Sequence, residues 1–174
     1  MRPIRTSLTA LALLAAAPAL AQGKIKPAAS DGHLAALETC ERFAHDEAGA
    51  LDAAIAEGWD AYEVDSESPF VVEYGASRDL EGIGHADIFV LIETYPELTF
   101  GYCRLDLSHP EGAGQAAIEE IAELERYAGE TLTDAGGTYA SLSGTGDTQS
   151  LLLTHWTEGD FVIQLTTITP LASN

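Results

Sequence analysis

The residues best suited to chemistry in this chain are its two cysteines, Cys40 and Cys103. Cys40 falls on the apolar side of a helical pattern, and Cys103 shares one face of a strand-like run with Leu105. In an oxidising compartment an even number of cysteines favours a disulfide, which here would join a helix to a sheet. The alternative is a reactive or metal-binding thiol, with His45 about one helical turn beyond Cys40. We predict a structural Cys40–Cys103 disulfide.

Acidic residues and histidines form two arrangements that resemble metal ligands. Glu63, Asp65 and Glu67 alternate, so their carboxylates would point one way in an extended segment. The segment nevertheless lacks the ligand spacing and the glycine of a calcium loop. Glu41 and His45 share a helical face, which an ordinary exposed pair explains as well as a metal site does. We therefore predict no metal and no cofactor.

Catalysis has no clear signature in the sequence. The chain lacks a Gly-x-Ser-x-Gly motif, and its glycine-rich segments follow neither dinucleotide nor phosphate-loop spacing. We assign no catalytic residue and interpret the chain as a binding protein. The alternative is a periplasmic hydrolase that uses His85 or His155 as a general base in a cleft.

The first 21 residues have the organisation of a cleaved export signal. A basic start precedes an apolar run over 8–17, and small residues precede a predicted cleavage between Ala21 and Gln22. The apolar run is about half the length needed to cross a membrane. We expect a mature protein in the periplasm or secreted, with a flexible leader over 22–30, a single domain over 31–174 and no membrane span.

The charge of the chain limits its partners. Eight lysines and arginines face 28 aspartates and glutamates, for a net charge of −20. So few cations cannot neutralise phosphates, which excludes nucleic acid as a partner. The excess of acidic residues suits a basic partner. Solubility by itself is the alternative explanation for that excess.

The hydrophobic pattern predicts an α+β fold. One helix is expected from Asp31 toward Glu57, with Gly49 as a point of division, and a second over 114–128. Three strands should follow each helix. They are predicted over 70–74, 88–95 and 98–107, and over 138–143, 149–157 and 161–169, with a loop over 75–84. We therefore expect an antiparallel sheet of about six strands with two main helices on one face.

The repeated order of elements indicates a duplicated unit of one helix plus three strands. An alignment without gaps places Leu91 over Leu152 and Tyr95 over Trp156. Two helices would leave the other face of the sheet open, and the run from Phe161 carries apolar residues on both sides. That face could bind a protein, a peptide or a small hydrophobic ligand, form a homodimer, or be covered by the 75–84 loop. The sequence thus describes an exported acidic binding protein.

Overall fold

The computed structural model describes residues 30–80, 83–108, 110, 114–134 and 136–171. The helices are α1 (Ser30–Ala44), α2 (Ala50–Ala56) and α3 (Gly114–Ala122). The strands are β1 (Asp60–Val64), β2 (Val71–Leu80), β3 (Gly84–Thr94), β4 (Leu98–Ser108), β5 (Tyr127–Asp134), β6 (Gly137–Gly144), β7 (Gln149–Trp156) and β8 (Asp160–Pro170). The predicted export signal, its predicted cleavage between Ala21 and Gln22, and residues 22–29 of the predicted leader lie outside the described residues.

The eight strands form one antiparallel sheet in the order β1-β2-β3-β4-β8-β7-β6-β5. Each half is a four-strand meander, and the halves meet where β4 pairs with β8, from Leu98 opposite Pro170 to Ser108 opposite Asp160. The helices α1 and α3 contact each other and pack on the same face, α1 against β3, β4 and β8 and α3 against β5, β6 and β7. We call this the inner face and the opposite one the outer face.

The prediction of six strands and two main helices is wrong, because the described residues contain eight strands and three helices. The first predicted helix is divided. The chain turns through Asp46 and Gly49, both at positive φ, before α2 begins. The second predicted helix is too long, since α3 ends at Ala122 and Tyr127 already starts β5. Gly129, which resembles a helix stop, lies inside that strand.

The predicted loop over 75–84 is also mostly strand. It forms the end of β2 and the turn into β3. Gly75 lies in the middle of β2, where the ring of Tyr62 on β1 packs over it. A Cβ at this position would lie 2.8 Å from the ring, which explains why the residue is glycine. The 75–84 segment therefore extends the sheet and does not cover the outer face.

The predicted unit of one helix plus three strands is wrong, because each half of the sheet has four strands. The alignment without gaps is also out of register by one residue at the hairpin turns. The two hairpin turns are equivalent, since the amide of Tyr95 donates to Leu98 and the amide of Thr157 donates to Asp160, both at 2.8 Å. Tyr95 thus corresponds to Thr157 and not to Trp156. A slip of one residue exchanges the faces of a strand.

The core lies between the helices and the inner face. Among its fully buried members are Leu37 and Phe43 from α1, Ile118 and Ile121 from α3, and Val90, Leu105, Ile163 and Leu165 from the sheet. The predicted disulfide is present: it joins Cys40 on α1 to Cys103 on β4, with 5.6 Å between the Cα atoms. Both cysteines are fully buried.

Close backbone approach fixes the helices at two glycines. A Cβ on Gly101 of β4 would lie 1.8 Å from the carbonyl oxygen of Ala44, so the last turn of α1 rests directly on the sheet. That carbonyl also accepts a hydrogen bond of 2.6 Å from the hydroxyl of Thr167. At the start of α3, Gly114 packs against the indole of Trp156. A Cβ added at Gly114 would lie 2.0 Å from that ring, so only glycine fits there.

Candidate binding face of the sheet

The outer face carries large apolar side chains that no described helix covers. Strand residues point alternately to the two faces, and the register places one set opposite the core. Its members that are more than a third exposed are Tyr62, Phe89, Leu132, Tyr139, Leu151 and Leu153. An apolar surface of this kind is typical of a binding face.

The second half of the sheet shapes part of this surface into a depression of about 650 Å³. Leu132, Tyr139 and His155 lie side by side on β5, β6 and β7, and Leu153 lies one step further along β7. The ring of Tyr139 stacks on the imidazole of His155, with 5.8 Å between the ring centres. We call the depression lined by Leu132, Tyr139, Leu153 and His155 the outer groove. It offers an apolar floor with two polar ring edges, and Glu130 and Ser141 also line it. This combination suits an amphipathic or apolar ligand.

The first half of the outer face is interrupted by charge. The ring centres of Phe89 and Tyr102 lie 6.4 Å apart. Next to them, the guanidinium of Arg104 donates two hydrogen bonds of 2.7 Å to the carboxylate of Asp106. Asp87 lies directly opposite Asp106 on β3. These charged groups break the apolar surface, so the first half offers less continuous contact than the outer groove.

His85, one of the two histidines considered as a general base, lies at the acidic end of this first half. Its Nδ1 donates to Asp79 at 2.7 Å, and its Nε2 lies 3.6 Å from Asp87. The hydrogen bond with Asp79 raises the pKa of the imidazole above its ordinary value, with Asp87 acting in the same direction. The imidazole is exposed and ion-paired, whereas His155 lies in the outer groove on β7, three strands away from β3 across the sheet. The two histidines therefore belong to separate sites.

Glu41, which was considered as a metal ligand together with His45, has a different role. Its carboxylate accepts hydrogen bonds from the guanidinium of Arg126 at 2.7 and 3.1 Å and from the hydroxyl of Tyr127 at 2.8 Å. Burial raises the pKa of Tyr127, and the neighbouring Glu41 carboxylate adds to this effect. Glu41 thus ties α1 to the start of β5.

The alternating acids Glu63, Asp65 and Glu67 are divided between two local structures. Glu63 lies in β1, which ends at Val64, and the other two follow in the connection to β2. Across the residues that the structure describes, no group of three or more histidines, cysteines and acids is arranged to hold a metal ion.

The outer groove was the part of the site that sequence reasoning missed. An open apolar face was expected, but Leu132 lies on β5, which the sequence pattern had assigned to a helix end and a loop. The alternation of Thr131, Leu132 and Thr133 was the available signal, since β-branched and apolar residues favour a strand.

Comparisons of the chain with protein-family models, with curated proteins and with solved structures found no match. In the described part of the chain, no helix has the length and apolar character that crossing a membrane requires.

Proposed function

We propose that the protein is an exported, non-catalytic binding protein that holds an apolar or amphipathic partner in the outer groove. The observation that carries this proposal is the exposure of Leu132, Tyr139 and Leu153 on three adjacent strands, with exposed fractions of 63%, 38% and 39%. Burying such side chains against a partner is favourable by about 25 cal/mol for each Å² of apolar surface.

Export is supported by two independent features. The first 21 residues have the order of a basic start, an apolar run and small residues before Gln22. The Cys40–Cys103 disulfide is typical of proteins that work in an oxidising compartment. In that compartment the acidic charge and the open outer face suit a protein that binds other exported molecules.

Binding of the uncharged fluorescent probe N-phenyl-1-naphthylamine tests the groove. We expect the double variant Tyr139→Ser/Leu153→Ser to lose most of the probe fluorescence, because it removes the apolar floor. Phe89→Ser is the matched control, since Phe89 is 46% exposed on the same face but lies outside the groove. Equal losses in both variants, or no loss in either, would contradict the proposal.

A further inference from the structure

The two edges of the sheet differ in how open they are. The edge strand β1 has five residues, and α2 packs against it. The other edge strand, β5, has eight residues, of which the seven over 128–134 are all exposed. Among the strands that the structure describes, it pairs with β6 alone. A long open edge presents a row of backbone groups on which another chain can form a strand.

The pattern of hydrogen bonds between β5 and β6 shows which backbone groups of β5 point to the open edge of the sheet. The amide of Thr145 donates to the carbonyl of Arg126 at 3.0 Å. Bonding to a neighbouring antiparallel strand alternates from residue to residue. Even-numbered residues of β5 therefore bond to β6, whereas Thr131 and Thr133 direct their N–H and C=O groups away from it. The tight hairpin that pairs Asp134 with Gly137 gives the same phase.

The side chains beside this edge define the partner's apolar side. Leu132 points to the outer face and borders the outer groove. In a strand added next to β5, every second side chain would point to the same face. Those side chains would lie beside Leu132 and extend the apolar surface of Tyr139 and Leu153, so they should be apolar.

Charge defines the rest of the partner. The described residues hold four arginines and no lysine, and Arg42, Arg104 and Arg126 are in ion pairs. Glu130 lies on β5 itself, and α3, which packs on β5, exposes Glu119. With a net charge of −20, a second copy of the chain is repelled and a cationic segment is attracted.

We propose that β5 accepts an extended segment of a partner polypeptide, with alternating basic and apolar residues, as a ninth strand of the sheet. This inference rests on the proposed function, because the apolar side chains of the segment occupy the outer groove. Backbone hydrogen bonds to Thr131 and Thr133 supply affinity, the groove selects apolar side chains, and the acidic surroundings select basic ones.

An eight-residue peptide that alternates lysine and valine is the probe, with calorimetric titration as the measurement. Thr131→Pro removes an outward N–H without touching the β5–β6 ladder, a place where an edge strand tolerates proline. Loss of that hydrogen bond should weaken binding about tenfold. Thr131→Val keeps the N–H and is the matched control, for which we expect unchanged affinity.

A modified peptide makes the test independent of how the variant folds. The same peptide with alternate residues N-methylated should bind the unaltered protein about tenfold more weakly, because it also lacks hydrogen-bond donors. A peptide with glutamate in place of lysine should not bind. Equal affinity for the glutamate peptide, or no binding of the lysine peptide at low ionic strength, would overturn the inference.

The groove variant separates this inference from the proposed function. If Tyr139→Ser/Leu153→Ser weakens peptide binding while Thr131→Pro and N-methylation do not, the groove binds but strand addition is wrong. If none of these changes alters peptide binding, both proposals fail. Dimers in sedimentation that Thr131→Pro abolishes, together with no peptide binding, would place a second copy on β5 and overturn the basic partner.

Discussion

The two halves of the sheet share one topology but are attached to the helices in different ways. In the first half a disulfide joins α1 to β4 covalently. In the second half α3 packs against the strands, and the carboxylate of Glu41 on α1 bonds Arg126 and Tyr127 at the start of β5. A disulfide persists when the pH or the salt concentration changes, whereas an ion pair is weakened. The half with the outer groove and the open edge is therefore the more easily loosened by a change of pH or salt.

Removing the covalent attachment should have the largest effect. The disulfide links residues 63 apart in sequence, and a loop of that length restricts the unfolded chain by about 4 kcal/mol in the chain-entropy model. We expect the double variant Cys40→Ala/Cys103→Ala to lose about that much free energy of unfolding in urea titrations. The unaltered protein under reducing conditions should behave in the same way, and an unchanged midpoint in both would contradict a stabilising role.

Weakening the polar attachment should have a smaller effect. Glu41→Gln removes the charge that holds Arg126, and we expect the free energy of unfolding to fall by about 1 kcal/mol, since the side chain of Arg126 is 44% exposed. Glu38→Gln is the control and should cost less, because Glu38 is exposed on the same helix and acts on Arg126 only at a distance, without a hydrogen bond. A double-mutant cycle with Tyr127→Phe should show coupling between the two residues. Equal losses for Glu38→Gln and Glu41→Gln would argue against the attachment.

The smallest effect concerns His85, on the first half. The hydrogen bond to Asp79 stabilises the protonated imidazole, so its pKa is raised in the folded protein. The contribution to stability is therefore present below the ordinary histidine pKa of about 6.5 and is lost as the pH rises through the raised value.

Titration of the His85 ring by NMR checks this direction. Asp79→Asn should lower the pKa, and Asp87→Asn should lower it less, because that carboxylate lies 3.6 Å away while Asp79 lies at 2.7 Å. A larger effect from Asp87→Asn would show that the hydrogen bond is not the main cause.

Features that depend on local pattern could be predicted from the sequence. The disulfide followed from the even number of cysteines and from their apolar surroundings. The turns at Tyr95 and Thr157 were also visible, since proline and glycine mark them.

Features set by distant contacts could not be predicted. The acids over 119–125 continue a helical pattern past Ala122, where α3 ends. Tyr127, the first residue of β5, is held by a hydroxyl bond to Glu41, which lies 86 residues earlier in the chain. Because Leu132 of the outer groove depends on that strand, the site could be predicted as an open apolar face but not as a groove.

The strand β8, which comes last in the chain order, occupies the middle of the sheet between β4 and β7. Until Asp160–Pro170 has been synthesised and released, β1–β4 and β5–β7 have no ladder in common. Pairings between distant segments slow folding, because the chain must be ordered before they form. A nascent chain that lacks β8 can therefore pair β1–β4 and β5–β7 separately, and the native sheet closes only when β8 joins them.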